Sequence, residues 1–445
     1  MRHTVQWPIV IASICVTGSV FAGGMVLPVR GARTVARAGA YVAGAEDADA
    51  LWQDPAGLAR RAGDGKRSLL FDAAFVYQSV DYNPGTQAPV SNEQPGQPIP
   101  TLAAALGVGD RLVIAGGIAA PYAGTHRYPS GGAQRFASVS MTGSTYAIVT
   151  VGVAYRVSDQ LRVGATLQDQ FSKLSLAMMT SGCPGAMTCD PDDRSFDMLV
   201  TIDQTDYLAP SGSIGVQWDA TPRVTLGAVA QAPTRVSGNA TITLDLPSNT
   251  LFDAAMVSGD GGALSFTLPP VVRAGIELRP LDRLRVEAAF AAELWSVHDT
   301  VVIDPDGIVV QNAGGDFTLQ TMTIARDYKT SVSPSLAVEW HGPKLALGAG
   351  YAYETAAAPA NTVSVLTVDS AKHVLGIGGG YEDAGWQIGA AAGVALLADV
   401  VVDNPGGVTQ QQPLHDAATA TIVPVNAGTY ASRYLVAGLR FARTW

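Results

Sequence analysis

Two kinds of connection alternate along this chain of 445 residues, and the alternation narrows what it can fold into. Six are tight: Gly107 to Asp110, Arg156 to Gln160, Trp218 to Pro222, Leu278 to Asp282, Trp340 to Pro343 and Tyr381 to Gly385. Each is built from Gly, Asp, Ser or Pro and leads at once into an alternating apolar run, which is the chemistry of a hairpin turn. Seven others are long, polar and Pro- and Gly-bearing, at about residues 81–97, 121–144, 180–206, 233–262, 298–327, 355–370 and 399–428. Six short and seven long connections join fourteen strands. Short turns at one end and long loops at the other are how outer-membrane barrels are built, and an even strand number leaves both termini periplasmic. The expected fold is therefore all-β, a 14-stranded antiparallel transmembrane β-barrel.

The strands carry the matching period of two. Leu345, Leu347, Ala349, Tyr351 and Tyr353 fall on one face, and Lys344, Ala346, Gly348, Gly350, Ala352 and Glu354 on the other. A second strand sets Leu284, Val286, Ala288, Phe290, Ala292 and Leu294 against Arg283, Arg285, Glu287 and Glu293. A third sets Leu161, Val163, Ala165 and Leu167 against Arg162, Thr166 and Gln168. The apolar faces meet outer-membrane lipids and the charges collect in the lumen. Charged residues make up only 15% of the chain, against roughly 25% in soluble domains. Beyond the first two dozen residues no run of eighteen uncharged apolar residues exists to span a bilayer as a helix. The competing reading is a soluble all-β protein with one wet face, and both ends of the chain speak against it.

At the N-terminus, Arg2 and His3 precede an apolar stretch from Trp7 to Val16 and small residues up to Ala22, the pattern of a secretory signal peptide cleaved after Ala22. Ile14 stands where a lipoprotein signal needs a small residue before Cys15. The C-terminal strand runs through Leu435, Ala437, Leu439 and Phe441 to Trp445. That ending resembles the signal read by the barrel-assembly machinery, with Arg443 on its apolar face able to snorkel. After export two cysteines remain, Cys183 and Cys189, in a loop with Gly182, Pro184, Gly185 and Pro191, which suits a small disulfide in an oxidising compartment. A net charge of −10 offers no basic surface for nucleic acid. The five remaining His, at 126, 298, 341, 373 and 415, have no metal-ligand spacing, and no Gly-x-Ser-x-Gly elbow is present. Neither an enzyme nor a metal or cofactor site is expected.

Residues 23–66 do not read as a strand pair. They hold the small-residue run from Gly31 to Ala50 and then Leu51-Trp52-Gln53-Asp54-Pro55-Ala56-Gly57-Leu58. A fourteen-stranded lumen is wide enough to take such a segment as an internal plug. The domain reading is thus a signal peptide at 1–22, a plug at 23–66 and the barrel at 67–445.

The stretch from Ala38-Gly39-Ala40-Tyr41 to Leu58 resembles the N-terminal hatch of the FadL/TodX family, outer-membrane transporters of long-chain fatty acids and other hydrophobic molecules. Three more segments agree in order. Ala120-Pro121-Tyr122 with Gly124 and Thr125 is similar to the Ala-Pro-Phe-Gly end of the family's third strand. Gly350-Tyr351-Ala352-Tyr353-Glu354 resembles its Gly-Tyr-Ala-Tyr-Asp strand, and Val368-Asp369-Ser370-Ala371-Lys372-His373 its Pro-Asp-Ser-Asp-Arg segment. The hatch departs from the family's Asn-Pro-Ala at Asp54, which keeps an acceptor and loses the amide donors. Val368 and Ala371 replace the usual Pro and Asp.

The resemblance implies passive uptake of fatty acids, hydrocarbons or similar compounds, captured by extracellular loops, held above a hatch formed by Gly39, Trp52, Asp54, Pro55, Ala56, Gly57 and Leu58, and released sideways through the wall. The strand from Arg111 to Pro121 corresponds to the family's third. Its Gly116, Gly117 and Pro121 either shape a wall opening or bend an ordinary strand. Apolar loop residues, Ala254 to Val257, Phe266 to Val272, Met178, Met179 and Met187, either contact ligand or pack on one another. The alternative function is a structural or adhesion barrel that never conducts.

Overall fold

A computed structural model describes residues 31–445, apart from 86, 121–125, 184–189, 191–192, 312–315, 404–406 and 408–423. Fourteen strands form the wall. They are β1 (Arg67–Asn83), β2 (Gly96–Val108), β3 (Leu112–Ala119), β4 (Thr145–Arg156), β5 (Leu161–Ser181), β6 (Asp197–Asp206 and Pro210–Thr221) and β7 (Val224–Gln231 and Thr234–Asp245). The circuit continues with β8 (Gly261–Leu268 and Val271–Leu281), β9 (Leu284–Glu293 and Thr300–Asp306), β10 (Met322–Ala325 and Ser331–His341), β11 (Leu345–Glu354), β12 (Lys372–Asp383), β13 (Trp386–Leu397) and β14 (Gly428–Thr444). Every neighbour pair is antiparallel, and β14 returns to β1 along the full register Ser68↔Thr444 to Asn83↔Thr429. The barrel is closed and leaves no open edge to aggregate.

Five consecutive strands, β6 to β10, are each interrupted once, at residues 207–209, 232–233, 269–270, 294–299 and 326–330. Registers across neighbours place these breaks at one level: β7 resumes at Thr234 opposite Leu268, where β8 stops. Pro233, Pro269 and Pro270 lie in two of the breaks, and proline cannot donate to a ladder. Beyond the breaks the sheet continues as a second tier. Here the structure corrects the sequence reading: the connections at 180–206, 233–262 and 298–327 are not wholly loop but contain the outer segments of β6, β7, β9 and β10 and the start of that of β8.

The reason is a reversal of polarity. In the first segment of β7, Leu226, Ala228 and Ala230 point outward and Thr225 inward; in the second, Arg235, Ser237, Asn239, Thr241 and Thr243 are exposed while Val236, Ala240 and Ile242 are buried. The uninterrupted β5 makes the same change along one face. Its lumen side reads Arg162, Thr166, Gln168, Gln170 and Ser172, then Leu174, Leu176 and Met178, all buried. Lipid surrounds the first half of the strand and water the second, so the apolar face must switch from outside to inside.

Residues 31–62 lie inside the barrel, and Asp64, Gly65 and Lys66, expected in the plug, are exposed beside the Gly107–Asp110 turn at its rim. Helix α1 (Ala32–Ala36) touches β11 to β14 and β1, helix α2 (Ala50–Gln53) touches β3 and β4, and a 3₁₀ turn at Pro55–Arg61 touches β3 to β6. A segment that meets opposite sides of a closed ring can only be within it. The wall leaves room for it with glycine: a Cβ at Gly350 would run into the Arg37 backbone and one at Gly376 into the Val35 carbonyl.

Candidate functional site

The plug is held by its own turns and by the wall. Gly39 takes φ +86, a left-handed conformation that suits glycine. Trp52 is buried and its indole N–H donates to Thr150 Oγ1 at 2.9 Å. Asp54 starts the 3₁₀ turn through Pro55, Ala56, Gly57 and Leu58, accepting the Ala56 N–H on Oδ1 at 3.0 Å. Its Oδ2 is buried without a partner. Burial raises the Asp54 pKa well above the usual carboxylate value. A neutral Asp54 carries a hydroxyl donor, which restores part of what the family's Asn provides.

Ion pairs pin the plug to strands far away in sequence. Arg37, fully buried on α1's C-terminal side, donates to Glu287 of β9 at 2.5 Å and to Glu339 of β10 at 2.7 Å. The backbone N–H groups of Val42, Ala43 and Gly44 converge on the same Glu287 at 2.7, 2.8 and 3.0 Å. Arg33 grips Glu339 through two bonds of 3.1 Å, and Arg440 of β14 bridges Asp49 of the plug and Asp72 of β1 at 2.7 and 3.1 Å. Sequence periodicity put Glu287 in the lumen. Glu339, Asp72 and Arg440 went unnoticed, although the same inward parity would have found them.

The second tier buries an apolar cluster that includes Leu174, Met178, Ile202, Ile242, Phe266 and Trp295. Burying each large apolar side chain contributes about 1.5–3 kcal/mol, so the cluster stabilises the outer tier and gives its interior an apolar character. Met178, Phe266 and Leu268, expected in loops, are buried strand residues. Ala254, Met256 and Val272 are exposed, and Met187 lies outside the described residues.

The profile of the outer-membrane transport proteins OMPP1/FadL/TodX matches residues 13–428. The chain belongs to the FadL/TodX family. Solved structures agree on the fold. A FadL homologue from Pseudomonas aeruginosa is 16% identical, with a TM-score of 0.78 over 95% of this chain and 99% of that one. The toluene transporter TbuX of Ralstonia pickettii is 18% identical, with 0.63 over 94% and 99%. The toluene transporter TodX of P. putida is 15% identical, with 0.63 over 92% and 98%. No curated protein sequence matches the chain. As a FadL/TodX protein it is an outer-membrane β-barrel of a family that transports hydrophobic compounds.

In the family's third strand, here β3, Gly116 and Gly117 sit in unbroken ladders, paired with Ala104 and Ala103 of β2 and with Val151 and Thr150 of β4. Gly117 faces inward against Trp52, and Gly116 faces outward. The β3 ladder reaches Ala119, which pairs with Thr101 of β2 and Ile148 of β4. Pro121 lies outside the described residues, as do the signal-peptide positions 1–22. Cys183 is disulfide-bonded; Cys189 lies outside the described residues.

Proposed function

We propose that this FadL/TodX protein takes up hydrophobic compounds, of the long-chain fatty acid or hydrocarbon kind, by passive diffusion. The ligand enters an apolar chamber within the second tier from outside, rests above the plug and leaves sideways beside β3. The observation that carries this reading is the switch on the lumen face of β5 from Gln170 and Ser172 to Leu174, Leu176 and Met178. It builds an apolar compartment above a polar, ion-paired floor. A greasy solute forced on through that floor would lose its apolar surroundings, whereas a sideways exit keeps it among lipid and protein carbon. The exit is placed beside β3 because that strand, with Gly116, Gly117 and Pro121, corresponds to the family's third. The names of the neighbours favour no one ligand, since one is a FadL homologue and two are toluene transporters.

The test compares uptake of a labelled long-chain fatty acid and of labelled toluene by cells lacking the protein and by complemented cells. Faster uptake of either by complemented cells is expected. Equal rates for both compounds would sink transport and leave the adhesion barrel.

A further inference from the structure

The strand breaks gather a polar corner within the apolar cluster of the second tier. At the breaks in β9 and β10 the chain places Trp295, His298, Arg326 and Tyr328, all buried. The His298 ring stands 5.9 Å from that of Phe266, 5.6 Å from Trp295 and 5.2 Å from Tyr328. Its Nδ1 lies 2.8 Å from the Thr267 carbonyl oxygen. A carbonyl only accepts, so Nδ1 carries the proton and Nε2 keeps a lone pair. That Nε2 is buried with no partner. Burial, helped by Arg326, lowers the His298 pKa to about 4, so the ring stays neutral and accepting at neutral pH.

Arg326 presents the complementary group. Its Nη1 donates to Thr367 Oγ1 at 3.2 Å, but its Nε–H is buried with no partner, and among the described residues Arg326 makes no ion pair. The guanidinium carbon is 6.0 Å from the centre of the same Tyr328 ring. A bare donor and a bare acceptor thus lie near one tyrosine ring in an aromatic cluster, and leaving either unsatisfied is costly.

We infer that this corner binds the hydroxyl group of an otherwise apolar ligand, an alkylphenol or a long-chain alcohol. The hydroxyl oxygen accepts from Nε of Arg326 and its hydrogen is donated to Nε2 of His298, while the apolar body lies against the aromatic rings. A hydrocarbon satisfies neither atom. A carboxylate satisfies Arg326 but brings no proton for His298. The inference rests on the chamber being the ligand site, as proposed above.

The experiment is calorimetric titration of the full-length protein in detergent with three probes of matched apolar body: 4-octylphenol, octylbenzene and 4-octylbenzoate. Octylphenol is expected to bind about tenfold more tightly than octylbenzene, the scale of one well-made hydrogen-bonded group. His298→Phe keeps a ring in the cluster and is expected to bring that ratio close to one while octylbenzene binding persists; Arg326→Met is expected to do the same. Heat-modifiable gel migration checks that each variant is folded, and His298→Phe decides if Arg326→Met is not. Equal phenol and hydrocarbon affinity in the parent, or an unchanged ratio in His298→Phe, overturns the hydroxyl site and leaves a trapped water on both atoms. Tightest binding of octylbenzoate, lost in Arg326→Met alone, overturns it in favour of an anion site. Failure of all three probes to bind overturns the chamber reading as well.

Discussion

At the scale of single residues, Asp54 shows how a family departure can be absorbed. Its Oδ2 is buried without a partner and burial raises its pKa. In the unfolded chain it ionises near 3.9. Above about pH 4, therefore, the unfolded state has given up a proton that the folded state retains, and stability falls as pH rises toward the folded pKa. Below the unfolded pKa the term vanishes. Asp54→Asn removes the titration and restores the amide, so thermal midpoints of the two proteins are expected to agree near pH 3.5 and to separate in favour of Asn toward pH 8. A difference that does not change with pH would mean that Asp54 is ionised in the plug. The sequence marked this position because it breaks the hatch motif, but the fit of its carboxyl depends on Gly215 of β6, where a Cβ would run into Oδ1, which no local pattern reveals.

At the scale of the strand, alternation was legible wherever the membrane imposes it. The lipid-facing Leu345, Leu347 and Tyr351 of β11 are exposed in the structure as the period requires. The outer tier was hidden for the same reason in reverse: with Arg235, Asn239 and Thr243 facing water, that part of β7 has the composition of a polar loop. In β3 the two faces make opposite predictions for neighbouring glycines. A Cβ at Gly117 would lie 2.6 Å from the Leu102 carbonyl oxygen and 2.7 Å from Trp52 Cη2, whereas at Gly116 the nearest atom is 3.6 Å away. Gly117→Val is expected to displace Trp52 from Thr150 and lower barrel stability by about 1–3 kcal/mol. Gly116→Val is expected to stay within about 0.5 kcal/mol. Urea midpoints in detergent check both, and equal effects would contradict the assigned faces. Because Gly116→Val leaves the fold intact, it is also the cleaner probe of exit: unchanged uptake would remove Gly116 from the wall opening.

At the scale of the molecule, the scarcity of charge has a location. Lipid takes one face of each strand, and much of the remaining charge joins the plug to the wall through contacts such as Arg37 to Glu287, 250 residues apart. Such pairs follow from inward parity on each strand but cannot be matched to one another from sequence, since closure of the ring alone decides which strand faces which plug residue. Removing one partner of a buried pair typically costs about 3–5 kcal/mol, because it strands the other charge. Arg37→Leu would leave Glu287 to the N–H groups of Val42, Ala43 and Gly44 and Glu339 to Arg33, and it is expected to loosen the plug while the wall ladders, which it does not touch, persist. The consequence is a permeability experiment in liposomes. The parent protein is expected to give background swelling in small sugars, since the lumen is occupied from α1 through the 3₁₀ turn. Deletion of residues 31–62 is expected to give rapid swelling, with Arg37→Leu between the two, each protein first shown to be a folded barrel by gel migration. If the deletion swells no faster than the parent, the outer apolar chamber rather than the plug is the seal, and the ion pairs then serve only to hold the floor on which a ligand rests.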